Sequence, residues 1–294
     1  MSSLLHAVVE AGIFSSDPVR TAAIIGGGAA VVSGVIGVFT VIRGQSFAGH
    51  ALADISSAGG SLSFLLGINP LAGFLGLALL AAAGIEFIGI RRARERDLIT
   101  GIILGAGLGL SALFLYFDVI THSTTGAAVS VMFGSMFTIP PSIIPLALII
   151  GFGALFMVAL LYRPLLLCSL DSELALVSGI RVRLIGLLHL LILALAVALS
   201  AMTVGAVLST ALLIGPAAIA LRLVKRPGQA LILAASIGLI TTWGGIFLAY
   251  DSFYWTPGHG WPVSFFIVLL IFVLYIVTGW IQWLREAGSC SQVL

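Results

Sequence analysis

The chain has 294 residues, of which 60% are hydrophobic and only 8% charged, and its formal net charge is +2. Soluble domains carry about 25% charged residues, so a soluble globular protein is excluded. With so few cations there is also no basic surface for nucleic acid. The apolar residues gather into runs of roughly 20 residues, long enough to cross about 30 Å of hydrocarbon. The fold class expected is an all-α integral membrane protein.

Nine such runs fall near 21–42, 47–68, 70–90, 98–117, 141–162, 184–202, 204–221, 230–250 and 263–284, with eight or ten as the neighbouring counts. The stretch from Leu184 to Leu221 is too long for one crossing, and Thr203, Val204 and Gly205 are the expected place for it to turn. The segment from Ser123 to Phe137 is helical in character but short, and reads as a partial helix near the outer face.

The cations occupy alternate breaks between these runs. Arg43; Arg91, Arg92, Arg94 and Arg96; Arg163, Arg181 and Arg183; Arg222, Lys225 and Arg226; and Arg285 mark one side, and the intervening breaks hold no Lys or Arg. Arg20 alone lies outside the set. By the positive-inside rule the marked side is cytoplasmic. Residues 1–20 then form an extracytoplasmic segment, 21–284 the transmembrane domain, and 285–294 a cytoplasmic tail. The stretch before Arg20 is too polar and too short in apolar core for a signal peptide. Cys168 and Cys290 both fall on the cytoplasmic side without CxxC spacing, so no disulfide is expected.

The 35 glycines are not confined to loops. Gly26, Gly34 and Gly37 with Ala30 and Ser33 form one small-residue stripe, and Gly101, Gly105 and Gly109 form another. Such stripes let helix backbones approach closely in lipid.

Ionisable groups inside spans are few, and each is a functional candidate. His50 and Asp54 stand four apart, so both side chains share one helix face. Imidazole plus carboxylate suits Zn²⁺ and is tolerable for Mn²⁺ or Fe²⁺, while a hydrogen-bonded pair that only holds the bundle is the structural alternative. Glu86 reads as an interfacial ion pair with Arg91 and Arg92, and His189 as a packing histidine. Asp118 and His122 stand four apart at the outer end of the fourth run, where His122 reads as an ordinary surface group. Asp251 and His259 flank an outer loop with aromatics and no cation, a mouth that would attract a positive ion.

The sole lysine, Lys225, follows no Gly-rich Walker loop, and neither GxSxG nor HExxH occurs. ATP binding by a P-loop and intramembrane hydrolysis are therefore unsupported. The cytoplasmic break from Arg163 to Arg183 contains an acidic turn at Asp171 and Glu173 and a stop at Gly179. That pattern describes a short amphipathic helix near 170–181.

This helix resembles the coupling helix of the ABC-3 family of metal-ion permeases, the membrane subunits of zinc, manganese and iron importers. The stretch Val204-Gly205-Ala206-Val207-Leu208-Ser209-Thr210-Ala211-Leu212-Leu213-Ile214-Gly215-Pro216-Ala217-Ala218 looks like the family's VGxLLxxALLxxPAA signature. Arg96-Asp97-Leu98-Ile99-Thr100-Gly101-Ile102 and Phe133-Gly134-Ser135 also fit, and the resemblance spans residues 21 to 284. In many members the second-span motif runs Gly-Asp-x-x-x-His. Here Gly49-His50-Ala51-Leu52-Ala53-Asp54 reverses the order.

The resemblance implies an ABC-importer permease fold related to the metal-chelate (type II) permeases, in a multi-pass protein of the bacterial plasma membrane. It further implies a homodimer without catalytic activity or a permanent cofactor. Two cytoplasmic ATP-binding subunits would press on the segment bearing Asp171, Glu173, Ala175 and Gly179. An extracytoplasmic metal-binding protein would deliver the ion, and the His50–Asp54 donor pair leans to zinc, then manganese, then iron. The alternatives are a permease for a metal chelate such as a siderophore, haem or cobalamin, and a stand-alone ion-coupled carrier. The first needs a wide uncharged cavity, against which the His50–Asp54 pair argues; the second needs no coupling helix.

Overall fold

In lipid a spanning backbone must satisfy its own hydrogen bonds, and for long apolar runs the helix is the way to do so. The computed structural model describes residues 16–88, 93–122, 125–134, 136–255 and 260–290, and among them every regular element is helical. In chain order these are α1 (Asp17–Ile42), α2 (Ser46–Leu66), α3 (Pro70–Ile88), α4 (Ala93–His122), α5 (Thr125–Phe133), α6 (Ile144–Leu170, entered through a 3₁₀ turn at Pro141–Ile143), α7 (Ser172–Val177), α8 (Val182–Val204), α9 (Ala206–Leu223), α10 (Pro227–Trp255) and α11 (Val263–Cys290).

Among the described residues, eight helices are long and apolar enough to cross a membrane. The ninth expected span is α2, whose 21 residues reach about 31 Å at 1.5 Å per residue. Its Gly and Ser content lowers its hydropathy, and the structure shows why that is tolerated. Ala51, Leu52, Ser56, Ala58 and Ser61 are all buried, with α3, α4, α5, α8 and α9 packed around the helix. The short α5 is the partial helix expected there, with Ser123 and Thr124 outside the described residues.

Two sequence expectations need correction. Arg163 and Pro164 do not open a break: α6 continues through both to Leu170. Pro164 removes one backbone donor, but the flanking turns carry the helix on. Of the Gly101, Gly105 and Gly109 stripe, only Gly101 comes near another helix of the chain, at Phe47 of α2. Nothing lies within 4 Å of a Cβ placed at Gly105 or Gly109, and it is Gly107 that meets the α2 backbone. The α1 stripe does pack. A Cβ at Gly34 would lie 2.7 Å from the Ala234 carbonyl oxygen, and one at Gly37 would collide with the Leu213 carbonyl.

The core runs along α1 and α8, which are in contact and are joined inside the bundle by a Ser33–Ser200 hydroxyl pair at 2.5 Å. The long apolar stretch turns at the expected place. Gly205 adopts φ +94° between α8 and α9, a conformation that only glycine enters cheaply. A Cβ at Gly205 would collide with the Met132 carbonyl oxygen and the Gly134 amide nitrogen, so the turn packs directly on the end of α5. At the other end of α9, the Arg222 guanidinium lies 3.8 Å from the Tyr275 ring centre and donates to its hydroxyl. Gln282 donates to the Arg222 carbonyl, which ties α11 to α9.

Candidate functional site

His50 and Asp54 lie on one face of α2, as their spacing predicts. His50 Nε2 is 3.6 Å from Asp54 Oδ2. This exceeds hydrogen-bond length, yet it matches two ligands of one ion. Donors each about 2.1 Å from a metal at a tetrahedral angle stand roughly 3.4 Å apart. The Asp54 side chain is 4% exposed and that of His50 41%, so the carboxylate is deep and the imidazole faces an open side. Oδ2 of Asp54 accepts no hydrogen bond among the described residues. A buried carboxylate so placed calls for a positive charge beside it.

The residue that sequence reasoning missed is Thr210. His50 Nδ1 is 2.9 Å from Thr210 Oγ1 on α9. In the tautomer that carries its proton on Nδ1, the ring donates to the hydroxyl and keeps the Nε2 lone pair toward Asp54. Three close approaches bring Thr210 there. Gly37 of α1 and Gly49 of α2 both abut Leu213, one turn beyond Thr210, and a Cβ at Gly49 would lie 2.7 Å from Leu213 Cδ2. On the opposite side α4 presses its Gly107 against the Asp54–Ile55 backbone. The one sequence signal was Ser209-Thr210, two hydroxyls inside an apolar signature.

Depth follows from the same contact. His50 is in the first turns of α2, but Thr210 is in the second turn of α9, with roughly 20 Å of that helix between it and Leu223 at 1.5 Å per residue. Helix α2 therefore starts inside the bundle. Gln45 and two guanidinium nitrogens of Arg43 are accordingly buried.

The other candidates do not join the pair. No group of three or more His, Cys, Asp or Glu side chains able to hold a metal occurs among the described residues. Asp251 is half-buried in the last turns of α10. Its neighbour Ser252 accepts from the Trp261 amide at 2.9 Å. His259 and the His122 side chain lie outside what is described. Asp118 and His189 are buried. Glu86 is buried too, its carboxylate lodged against Gly186 of α8, while Arg91 and Arg92 lie outside the described residues.

The segment at 170–181 forms the expected short helix. Asp171 is the N-cap, its Oδ1 accepting from the amides of Glu173 at 2.9 Å and Leu174 at 3.0 Å. Gly179 closes the helix at φ +79°, with Ile180 N–H bonded to the Ala175 carbonyl and Gly179 N–H to that of Leu176. Ala175 is fully buried, whereas Leu174, Leu176 and Val177 project outward, Val177 being 87% exposed.

An all-α bundle of membrane length, with an imidazole–carboxylate pair held inside it and a capped apolar helix at one end, is the make-up of a polytopic transport subunit. The sequence model of the ABC 3 transport family matches residues 16–282, and the chain belongs to that family. It is 30% identical over 220 residues to the manganese transport system membrane protein MntC of Listeria monocytogenes, covering 75% of this chain and 77% of that one. It is 26% identical over 227 residues to the high-affinity zinc uptake system membrane protein ZnuB of Haemophilus influenzae, covering 76% and 85%. Its fold matches a chain of PsaBC from Streptococcus pneumoniae in complex with Fab at a TM-score of 0.77 and 25% identity, over 91% of this chain and 92% of that one. The fold is that of an ABC-importer permease.

Proposed function

We propose that this chain is the membrane-spanning permease subunit of an ABC importer for divalent transition-metal ions, and that the ion passes between His50 and Asp54. The observation that carries this reading is the 3.6 Å approach of a half-exposed imidazole to a buried carboxylate inside an ABC 3 family bundle. The names of the relatives support a metal cargo. Thr210 orients the imidazole, and hydroxyl, carbonyl and water oxygens fill the remaining positions around the ion.

For the cargo itself we place manganese first and zinc second. The pair alone favours zinc, but the positions it leaves open go to oxygen donors, and an oxygen-rich set suits Mn²⁺. The relative at 30% identity carries a manganese name and the one at 26% a zinc name. ATP hydrolysis belongs to separate cytoplasmic subunits that dock on α7 through Leu174, Leu176 and Val177, with Asp171, Glu173, Ala175 and Gly179 shaping that surface. Two copies of the permease pair in the membrane with the N-terminus outside and the cation-marked breaks inside. An extracytoplasmic metal-binding protein loads the outer mouth, where Asp251 and His259 attract the ion. Residues 21–284 form the permease domain between short outer and inner tails.

The test is ATP-dependent uptake of ⁵⁴Mn²⁺ and ⁶⁵Zn²⁺ into proteoliposomes holding the permease with its ATPase, for wild type, His50→Ala and Asp54→Ala. Uptake lost in both variants at unchanged assembly supports the site. Normal uptake by both refutes it, and no uptake of either metal by wild type refutes the cargo.

A further inference from the structure

Two apolar cavities of about 370 and 670 Å³ share Val31, Leu155 and Leu239 and so form one groove along α1, walled by α6 and α10. The groove follows α1 from Ala23 to Val35, roughly 18 Å at 1.5 Å per residue. That is the depth of one leaflet in a hydrocarbon core about 30 Å thick. Phe152 of α6 and Ile232 of α10, which line it, are exposed, so in a membrane-spanning chain the groove opens toward the hydrocarbon. Gly28 and Gly151 keep its floor shallow-walled; a Cβ at Gly28 would meet nothing closer than Leu148 Cδ2 at 3.7 Å.

One mouth of the groove is polar and positive. Tyr162 lines it, packs edge-on against Phe39 with ring centres 6.1 Å apart, and places its hydroxyl 3.5 Å from where a Gly228 Cβ would be. That contact brings the end of α6 and the start of α10 to one mouth. Arg163 follows Tyr162, and Lys225 and Arg226 precede Pro227; all three cations are exposed. The first turn of α10 adds the positive end of its dipole.

We propose that this groove binds one acyl chain of an anionic phospholipid, whose phosphate is held at the mouth by Arg163, Lys225, Arg226 and Tyr162. The apolar trough supplies the fit for the chain, and the cations supply the preference for negative headgroups. Each cation near a membrane surface contributes about 1 kcal/mol toward an anionic lipid, or roughly fivefold. A lipid seated there fills the space between α6 and α10 and holds both helices against α1.

The full-length chain, purified in detergent and delipidated, is titrated with palmitoyl-oleoyl phosphatidylglycerol or phosphatidylcholine and read by native mass spectrometry. One phosphatidylglycerol per chain is expected, held in preference to phosphatidylcholine. Gly28→Trp and, on the exposed outer wall, Ala159→Trp should both remove the adduct. Arg163→Gln/Lys225→Gln/Arg226→Gln should keep lipid binding but lose the headgroup preference. Either groove variant serves if the other fails to fold. Failure of wild type to retain lipid, or equal retention by a folded groove variant, overturns the proposal. Dissociation of a dimer by the groove variants at unchanged lipid content overturns it as well, because a second copy would then occupy the groove.

Discussion

Gly107 of α4 and Asp54 of α2 touch backbone to backbone: a Cβ at Gly107 would lie 2.7 Å from the Asp54 carbonyl carbon and 2.5 Å from the Ile55 amide nitrogen. The depth of the Asp54 carboxylate is thus set by a glycine on a neighbouring helix. Gly107→Ala must push α4 away or shift Asp54, and Gly107→Leu more so. Overpacking of this kind costs about 1–3 kcal/mol. Metal uptake should fall in the order wild type, Ala, Leu while the protein still inserts. Equal uptake by all three would show that the position of Asp54 is not limiting.

In the proposed site Thr210 would act on the ion only through the ring it orients. Thr210→Val keeps the shape and removes the hydroxyl, and loss of such an orienting partner typically weakens a metal site by about 10- to 100-fold. The half-saturating metal concentration for uptake should rise, and Thr210→Ser should restore it. Rescue by Ser separates hydrogen bonding from packing, since both variants keep the side chain small. A Thr210→Val variant with wild-type saturation would remove Thr210 from the site.

Asp171 caps α7 with two amide bonds. Asp171→Ala should destabilise the helix by about 1 kcal/mol and reduce, without abolishing, transport-stimulated ATP hydrolysis in the assembled complex. Val177→Asp places a charge on the exposed apolar surface and should uncouple more completely. Glu173→Arg and Gly179→Pro should uncouple too, the latter because proline cannot adopt φ +79°. Unchanged co-purification of the ATPase with normal stimulated hydrolysis in all four would remove α7 from the interface.

Gly205 turns the chain at φ +94° against the end of α5. Gly205→Ala combines backbone strain of about 1–3 kcal/mol with a clash against the Met132 carbonyl. The expected outcome is a lower unfolding midpoint in detergent. A larger residue such as valine should not assemble. A thermally unaltered Gly205→Ala would mean the turn relaxes at no cost.

Much of this architecture could be read from residue order because it rests on local rules. The turn at Gly205, the capped helix after Asp171 and the shared face of His50 and Asp54 are each encoded within a few residues. Length alone reads α2 as a ninth span, but its Gly and Ser content keeps it out of the eight helices apolar enough to cross a membrane among the described residues. What escaped depends on how helices are rotated and crossed. Thr210 is 160 residues from His50, and only the crossing at Gly37, Gly49 and Leu213 brings them together. The small-residue period on α4 marks a face but not its neighbour, so Gly101, Gly105 and Gly109 drew attention that belonged to Gly107. The apolar run ends near residue 162, yet α6 continues through Arg163 and Pro164 to Leu170, because a single lost donor is tolerated in a packed helix.

A helix of six residues is far below the roughly 12 to 15 that persist alone in water. Here α7 is already wound, closed at both ends and seated on Ala175 before anything meets it. A subunit docking there, as proposed, would not have to order this segment, and none of its association free energy would go into winding it. Recognition at this end would then be of a preformed shape, and encounter a matter of orientation.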